Sequence, residues 1–196
     1  MPAAIGILGG TFDPPHAGHV AAAAAAHRQL GLDQVRVIPA GQAPLRSGAP
    51  LASAADRVAM CRLAFAEHPW AVVDERETRR SGTSWSVDTA RELAAEFPAA
   101  RRVWILGADQ LARLERWKDV AELCRLVEFA VLSRDGIPTS PPPALASVIR
   151  LTVLQAPPID VSSTALRAAL RRVDSARNGL PLAVARHIDE RSLYQD

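Results

Sequence analysis

Two histidines three residues apart, His16 and His19, close the stretch Gly9-Gly10-Thr11-Phe12-Asp13-Pro14-Pro15-His16-Ala17-Gly18-His19. An apolar run at residues 5–8 precedes it and reads as a buried strand, and a helix begins where the histidines stand. Gly9 and Gly10, set directly after the strand, let the backbone approach a bulky anion with no Cβ in the way. The start of a helix favours phosphate through its free N–H groups and its dipole. Imidazoles placed there can donate hydrogen bonds to phosphate oxygens and to charge that develops in a transition state. Gly6, Gly9 and Gly10 do not form G-x-G-x-x-G, and no G-K-[ST] follows, so neither a dehydrogenase nor a P-loop is indicated. A histidine pair can also bind metal, but no carboxylate or cysteine at ligand spacing completes a site. A structural turn with two incidental histidines is the plainer alternative.

A second cluster lies far downstream, in Val161-Ser162-Ser163-Thr164-Ala165-Leu166-Arg167. Ser162 can cap a helix, Ser163 and Thr164 present hydroxyls and N–H groups in its first turn, and Arg167 lies one turn on. A serine-rich helix start alone is commonly just a cap. Gly107-Ala108-Asp109, after another apolar run, is likewise most often a helix cap, and a lone Trp117 is usually core.

These residues need a scaffold, and strand-like and helix-like segments alternate along the whole chain. Strands are expected at 5–8, 35–39, 71–73, 103–106, 129–132 and 148–154. Helices are expected at 19–30, from a cap at Ser53 with Asp56 as capping-box partner to about Glu67, at 86–97, from about Asp109, and at 119–126, 162–172 and 182–190. The proline-bearing stretches 43–50 and 136–143 read as loops. Apolar runs without alternation suit strands of a parallel sheet covered on both faces. The pattern predicts an α/β fold with a doubly wound parallel sheet, as one domain over residues 1–196. Ligands of such sheets bind beyond the carboxyl ends of the strands, near the switch in strand order, so the loops after strands one, four and six are where chemistry is expected.

Composition narrows the classes. With 48% hydrophobic and 22% charged residues the chain is not intrinsically disordered. No segment approaches the roughly 20 apolar residues of a membrane span, and the N-terminus lacks the basic region of a secretory signal. Cys61 and Cys124 sit in apolar helical patterns and read as buried hydrophobes, which suits a reducing cytoplasm. A net charge of +2, from 23 basic and 21 acidic side chains, gives no support to nucleic-acid binding. Periodicity does not separate an exposed apolar face from a core face, so a monomer and a homo-oligomer both fit.

Residues 10–19 resemble the ATP-binding signature of the nucleotidyltransferase superfamily that includes class I aminoacyl-tRNA synthetases, with His16 to His19 as its His-x-Gly-His motif. Within it, the whole chain resembles the bacterial nicotinate-nucleotide adenylyltransferase family. Val161 to Arg167 resembles the family's second ATP motif. Gly107 and Asp109 match its Gly-x-Asp at the ribose, Trp117 its ring-stacking tryptophan, and Arg134 an arginine associated with the mononucleotide. Residues 74–77 leading to Gly82-Thr83-Ser84-Trp85-Ser86 resemble the segment that shapes the nicotinate pocket, with Trp85 where the family usually has tyrosine. The ending from Leu180-Pro181 to Leu193-Tyr194 resembles the family's terminal helix and tail, read as structural. Two loops depart: Ala43-Pro44-Leu45-Arg46 stands for the usual Pro-Pro-His-Lys, with Arg46 keeping a cation, and Asp135 stands for a proline.

The resemblance implies a Rossmann-like nucleotidyltransferase fold and transfer of AMP from ATP to nicotinate mononucleotide. It gives Gly9, Gly10, Thr11, Phe12, Gly18, Gly107, Asp109, Ser162, Ser163 and Thr164 to ATP, and Thr83, Ser84, Trp85, Trp117 and Arg134 to the mononucleotide. His16, His19, Arg46 and Arg167 would act on the phosphates, with Mg²⁺ carried mainly by ATP and no protein metal site. Rival readings are a pantetheine-phosphate adenylyltransferase, which is usually shorter and lacks the Gly-Thr-Ser-Trp-Ser segment, a nucleic-acid binder, and a catalytically idle nucleotide sensor.

Overall fold

A computed structural model describes residues 1–44, 48–133, 138–156, 159, 161–171 and 178–195. Six strands form one parallel sheet: β1 (Ala4–Gly10), β2 (Gln34–Pro39), β3 (Ala71–Val73), β4 (Arg101–Gly107), β5 (Glu128–Leu132) and β6 (Leu151–Leu154). Their order is β3-β2-β1-β4-β5-β6, so the sheet is doubly wound and its direction of growth reverses between β1 and β4. Leu8 pairs with Ile105, and two residues further the register brings Gly10 level with Gly107. The two glycine-bearing loops read from the sequence thus leave the sheet side by side.

Helices cover both faces. On one, α1 (Ala17–Leu30), α2 (Ala54–Ala64) and α8 (Leu182–Glu190) pack with Leu8, Val35, Val37, Val103 and Ile105. On the other, α4 (Ser86–Glu96), α5 (Ala108–Leu111) and α6 (Val120–Leu126) pack with Ile5, Ile7, Trp104, Leu106, Phe129 and Val131. Successive residues of β4 and β5 alternate between these two cores, which is why both faces read as apolar. The alanine run of α1 buries Ala22, Ala23, Ala25 and Ala26, short side chains that let the helix lie close on the sheet. Gly6 belongs to the same tight contact, since a Cβ there would stand 2.9 Å from Leu32 Cδ1 and 3.0 Å from Val35 Cγ2.

Several expected boundaries move. The helix capped at Ser53 ends at Ala64 instead of about Glu67, because Phe65 leaves helical geometry and turns its ring into the core. Of the expected capping box one half forms: the Ser53 Oγ accepts from Asp56 N at 3.0 Å, while the Asp56 carboxylate accepts from the Ser53 hydroxyl at 2.6 Å instead of from its backbone N–H. Residues 148–150 are not strand. Val148 N and Ile149 N instead donate to Leu145 O, at the end of a short 3₁₀ turn (Pro143–Leu145), and β6 starts at Leu151. Pro143, expected in irregular chain, opens that turn. A short helix, α3 (Arg76–Arg79), has no counterpart in the sequence reading; its polar residues carry no apolar period. The edge strands also depart from two-faced burial, with Thr152 and Val153 of β6 exposed.

No helix among the described residues is long and apolar enough to cross a membrane. Cys61 and Cys124 are free thiols within the two cores, and burial pushes both to higher pKa. Neither thiol should react with Ellman's reagent at about pH 8 in the native protein, and both should react in denaturant; a fast native reaction at either would contradict this packing.

Candidate active site

The loop after β1 is built around its aromatic and glycine residues. Phe12 is buried with φ +51, a left-handed conformation that costs on the order of 1–3 kcal/mol for a non-glycine residue. Its ring lies over Gly10, where a Cβ would stand 3.2 Å from Phe12 Cζ, and meets the His19 ring edge-on at 4.9 Å between centroids. Gly10 is thus needed for the space that Phe12 fills.

His16 occupies the N-cap position of α1 and is 4% exposed, while His19 sits in the first turn. The backbone N–H of His16 donates to His19 Nδ1 at 3.2 Å. A neutral His19 therefore carries its proton on Nε2, as a donor. The two imidazoles stack at 3.7 Å between centroids. Gly18 is explained by this pair: a Cβ there would lie 3.1 Å from His16 Cε1 and Nδ1. The expected helix start at His19 is refined to Ala17, so both histidines belong to the helix's N-terminal cap and first turn.

Three further elements hold the loop. Arg57 of α2, 2% exposed, donates from Nη1 to Thr11 O at 2.8 Å and to Ala40 O at 2.7 Å, tying the loops after β1 and β2 together. The Asp13 carboxylate, 1% exposed, accepts from Leu51 N at 3.0 Å, Ala52 N at 3.1 Å and the Tyr194 hydroxyl at 2.9 Å. From α7 (Ser163–Leu170), Ser163 Oγ donates to Pro14 O at 2.9 Å and Arg167 Nη1 to Asp13 O at 2.7 Å. Ser162 caps α7 by accepting from Ala165 N, and Thr164 Oγ1 accepts from Arg167 Nη2. The hydroxyls of Ser162, Ser163 and Thr164 are thus engaged within the protein, and with Ala165 N on Ser162 Oγ the N–H groups of Ser163 and Thr164 are those aimed out of the helix start.

A second group of expected residues gathers beside the loop after β2. Thr83 bridges Gln42, Ser84 N donates to Gln42 O, and Gly41 N donates to Ser84 Oγ at 3.0 Å. Gly41 admits no side chain, since a Cβ would stand 2.3 Å from Glu77 O. Trp85 precedes α4 with Lys118 Nζ over its ring at 5.2 Å. Trp117 meets Trp104 edge-on at 6.0 Å, and Trp104 in turn lies under Gly9, 3.2 Å from where its Cβ would be. The indole N–H of Trp117 is buried with no hydrogen-bond partner among the described residues. Asp109 opens α5 beside Gly107, its Oδ1 standing 2.6 Å from where a Cβ of that glycine would be. Arg46 and Arg134 lie outside the described residues.

Sequence reasoning gave no role to Arg57 or the Asp13 carboxylate, named Glu77 only within the pocket-shaping segment 74–77, and read Tyr194 as part of a structural tail. Arg57 carried a signal, a cation on the apolar side of a short helix; Tyr194 carried its place in the Leu-Tyr tail and its rarity, as the sole tyrosine of the chain. Glu77, 5% exposed, accepts from Thr89 Oγ1 at 2.6 Å and faces Ser84, Arg80 and Glu92. Burial raises its pKa above the ordinary 4.5, more than the Thr89 hydrogen bond, the Arg80 charge and Ser84 lower it.

The cytidylyltransferase-like family model matches residues 7–169, which sets the chain in that class of nucleotidyltransferases. A protein of Methylibium petroleiphilum named "probable nicotinate-nucleotide adenylyltransferase" is 42% identical over 195 residues, spanning 97% of this chain and 92% of its own length. A protein of the same name from Chromobacterium violaceum is 41% identical over 214 residues, with 100% of each chain covered. Among solved structures, Plasmodium falciparum nicotinic acid mononucleotide adenylyltransferase complexed with APC superposes with a TM-score of 0.80 at 16% identity. The match covers 98% of this chain and 97% of that one, a likeness of fold. With relatives this similar along their whole length, the chain belongs to the nicotinate-nucleotide adenylyltransferase family.

A carboxyl whose pKa is raised on folding lends stability below its unfolded value, and that stability is lost as pH rises through the folded value. From pH 4.5 upward, the denaturation midpoint of the wild type should therefore fall relative to that of Glu77→Gln. Parallel curves from there to about pH 8 would show that burial does not perturb Glu77.

Proposed function

We propose that the enzyme transfers AMP from ATP to the 5′-phosphate of nicotinate mononucleotide, giving nicotinate adenine dinucleotide and pyrophosphate, a step in the synthesis of NAD. The observation that carries the reading is the union of two anion-binding elements at the switch point: the His16–His19 pair, and the α7 start pinned to the same loop by Ser163 and Arg167. The names of the full-length relatives supply the acceptor.

No side chain need act as nucleophile. An oxygen of the acceptor phosphate attacks the α-phosphorus of ATP, the bond to the bridging oxygen breaks in line, and pyrophosphate leaves with that electron pair. The work of the protein is placement and stabilisation of charge on the departing group. His19 is suited to this because Nδ1 accepts the His16 N–H, which keeps the Nε2–H as a fixed donor. His16 shares the phosphate side with it, and Arg167 brings a cation to the β,γ end while its bond to Asp13 O fixes its direction. Gly9, Gly10 and Gly18 allow close approach, Gly107 and Asp109 serve the ribose, and Ser162 to Thr164 hold the helix start toward phosphate. Thr83, Ser84, Trp85 and Trp117 form the side that receives the pyridine ring. Arg46 and Arg134 keep the roles that the family resemblance gives them, bridging toward the acceptor and holding the mononucleotide.

Magnesium enters with its substrate, as MgATP. Among the described residues no three His, Cys, Asp or Glu side chains form a metal-binding group, and the Asp13 carboxylate is taken up by three donors. Oxygens of the triphosphate and water are the hard ligands that such an ion takes. Two free, buried cysteines suit the reducing cytoplasm in which this reading sets the enzyme.

The test is pyrophosphate release with MgATP and, in parallel, nicotinate mononucleotide, nicotinamide mononucleotide or phosphopantetheine. Release is expected with the first acceptor above the others, and His19→Ala should cost about 10²–10³-fold in kcat, or roughly 2.7–4 kcal/mol. Silence with every acceptor, in protein that binds ATP, would leave a nucleotide-binding module instead.

A further inference from the structure

We propose that Tyr194 is a positioning residue of this transfer reaction, acting through the Asp13 carboxylate on the loop that carries His16 and His19; the proposal rests on the adenylyl-transfer reading above. Its hydroxyl donates to Asp13 Oδ1 at 2.9 Å across 181 positions of sequence. The phenol is buried, and its ring packs in the core shared by α1, α2 and α8. A phenylalanine would fill that core equally well, so the packing does not account for the hydroxyl.

Delivery of the hydroxyl is costly in backbone terms. Ser192 and Tyr194 both have left-handed φ, +49 and +67, where side chains other than glycine are rare. The turn that carries them is fastened to α8, with Leu193 N donating to Ile188 O and Ser192 N to Asp189 O. That helix is itself docked on α2, where Arg191 Nε stands 3.3 Å and His187 Nε2 3.4 Å from Asp56 Oδ1. The phenol thus reaches Asp13 from a braced platform, as strained residues do where surrounding structure over-determines them.

Asp13 is where such a contact matters for the reaction. Its backbone carbonyl takes the Arg167 guanidinium, and its neighbour Pro14 takes Ser163. The Asp13 carboxylate and its main chain share one Cα, so donors that hold the carboxylate also restrict the backbone whose carbonyls take Arg167 and Ser163. Leu51 and Ala52 hold the carboxylate from one side, and Tyr194 holds it from the C-terminal side. Removing this one anchor leaves a loop that still folds and still binds nucleotide but samples more than one setting of Arg167.

Steady-state pyrophosphate release by Tyr194→Phe tests this. Expected is a kcat about tenfold lower with KM for nicotinate mononucleotide within about twofold of wild type, in protein whose circular dichroism is native at the assay temperature. Asp13→Ala should lower kcat as well, and adding Tyr194→Phe to it should cost nothing further, because the acceptor of the hydroxyl is already gone. Unchanged kcat in folded Tyr194→Phe, or losses that multiply in the double variant, would overturn the proposal. Because Tyr194 is the only tyrosine, wild type grown on 3-fluorotyrosine carries a single ¹⁹F reporter that needs no mutation. Its resonance should shift on adding MgATP, and a resonance unmoved at saturating nucleotide would equally defeat the proposal. Wild-type protein that releases no pyrophosphate defeats the reading of the reaction; active wild type with an unimpaired Tyr194→Phe defeats this inference alone.

Discussion

A buried carboxylate at the end of the first strand is the constraint on which the site depends. Asp13 is removed from water in a loop where an unpaired charge would be expensive, and the chain answers by bringing donors to it from separate regions: two backbone N–H groups at residues 51 and 52 and one phenol at residue 194. The neighbouring carbonyls of Thr11, Asp13 and Pro14 then take Arg57, Arg167 and Ser163. Each of these bonds satisfies a polar group that the fold would otherwise strand, and together they fix the loop that presents two imidazoles at the mouth of the sheet. Stability and the geometry of the candidate site use the same contacts here.

Space is the second constraint. The switch in strand order sets the loops of β1 and β4 next to each other, but only small residues let them close. Gly10 yields to Phe12, Gly18 to His16, Gly9 to Trp104 and Gly41 to the Glu77 carbonyl. In none of these four is a positive φ the reason; the missing Cβ is. An aromatic wall therefore runs from His19 through Phe12 on one side and from Gly9 through Trp104 to Trp117 on the other.

Much of this was legible in the sequence. Apolar runs without alternation identified the central strands because β1, β4 and β5 are covered on both faces, and the Gly-Gly and His-x-Gly-His spacing marked the β1 loop because few other functions need those residues at a helix start. The ends of the sheet were less readable. β6 is an edge strand, and its true start depends on Val148 and Ile149 turning back to Leu145, a tertiary preference that no local period announces. The short α3 likewise follows from packing of Glu77 and ion pairs of Arg76 with Asp74 and Glu96, not from an apolar stripe. Within the candidate site, residue types suited to phosphate were visible, and residues that hold those residues were not. Arg57 bonds to carbonyls 46 and 17 positions away and Tyr194 to a carboxylate 181 positions away, and single-sequence spacing carries no record of such partners.

The long reach of the contacts on the β1 loop bears on the order in which the molecule assembles. The strands β3, β2, β1 and β4 all lie within the first 107 residues and can pair early, with helices between them closing short loops. Residues 51, 52 and 57 reach the loop from within this first part of the chain, but Ser163, Arg167 and Tyr194 reach it from 149, 154 and 181 positions away. Closing such distances carries a larger entropic cost and belongs late in folding. A chain emerging from the ribosome can therefore bury its central sheet while its first loop is still unset, and the catalytic end of the oldest strand is the last part of the protein to be finished.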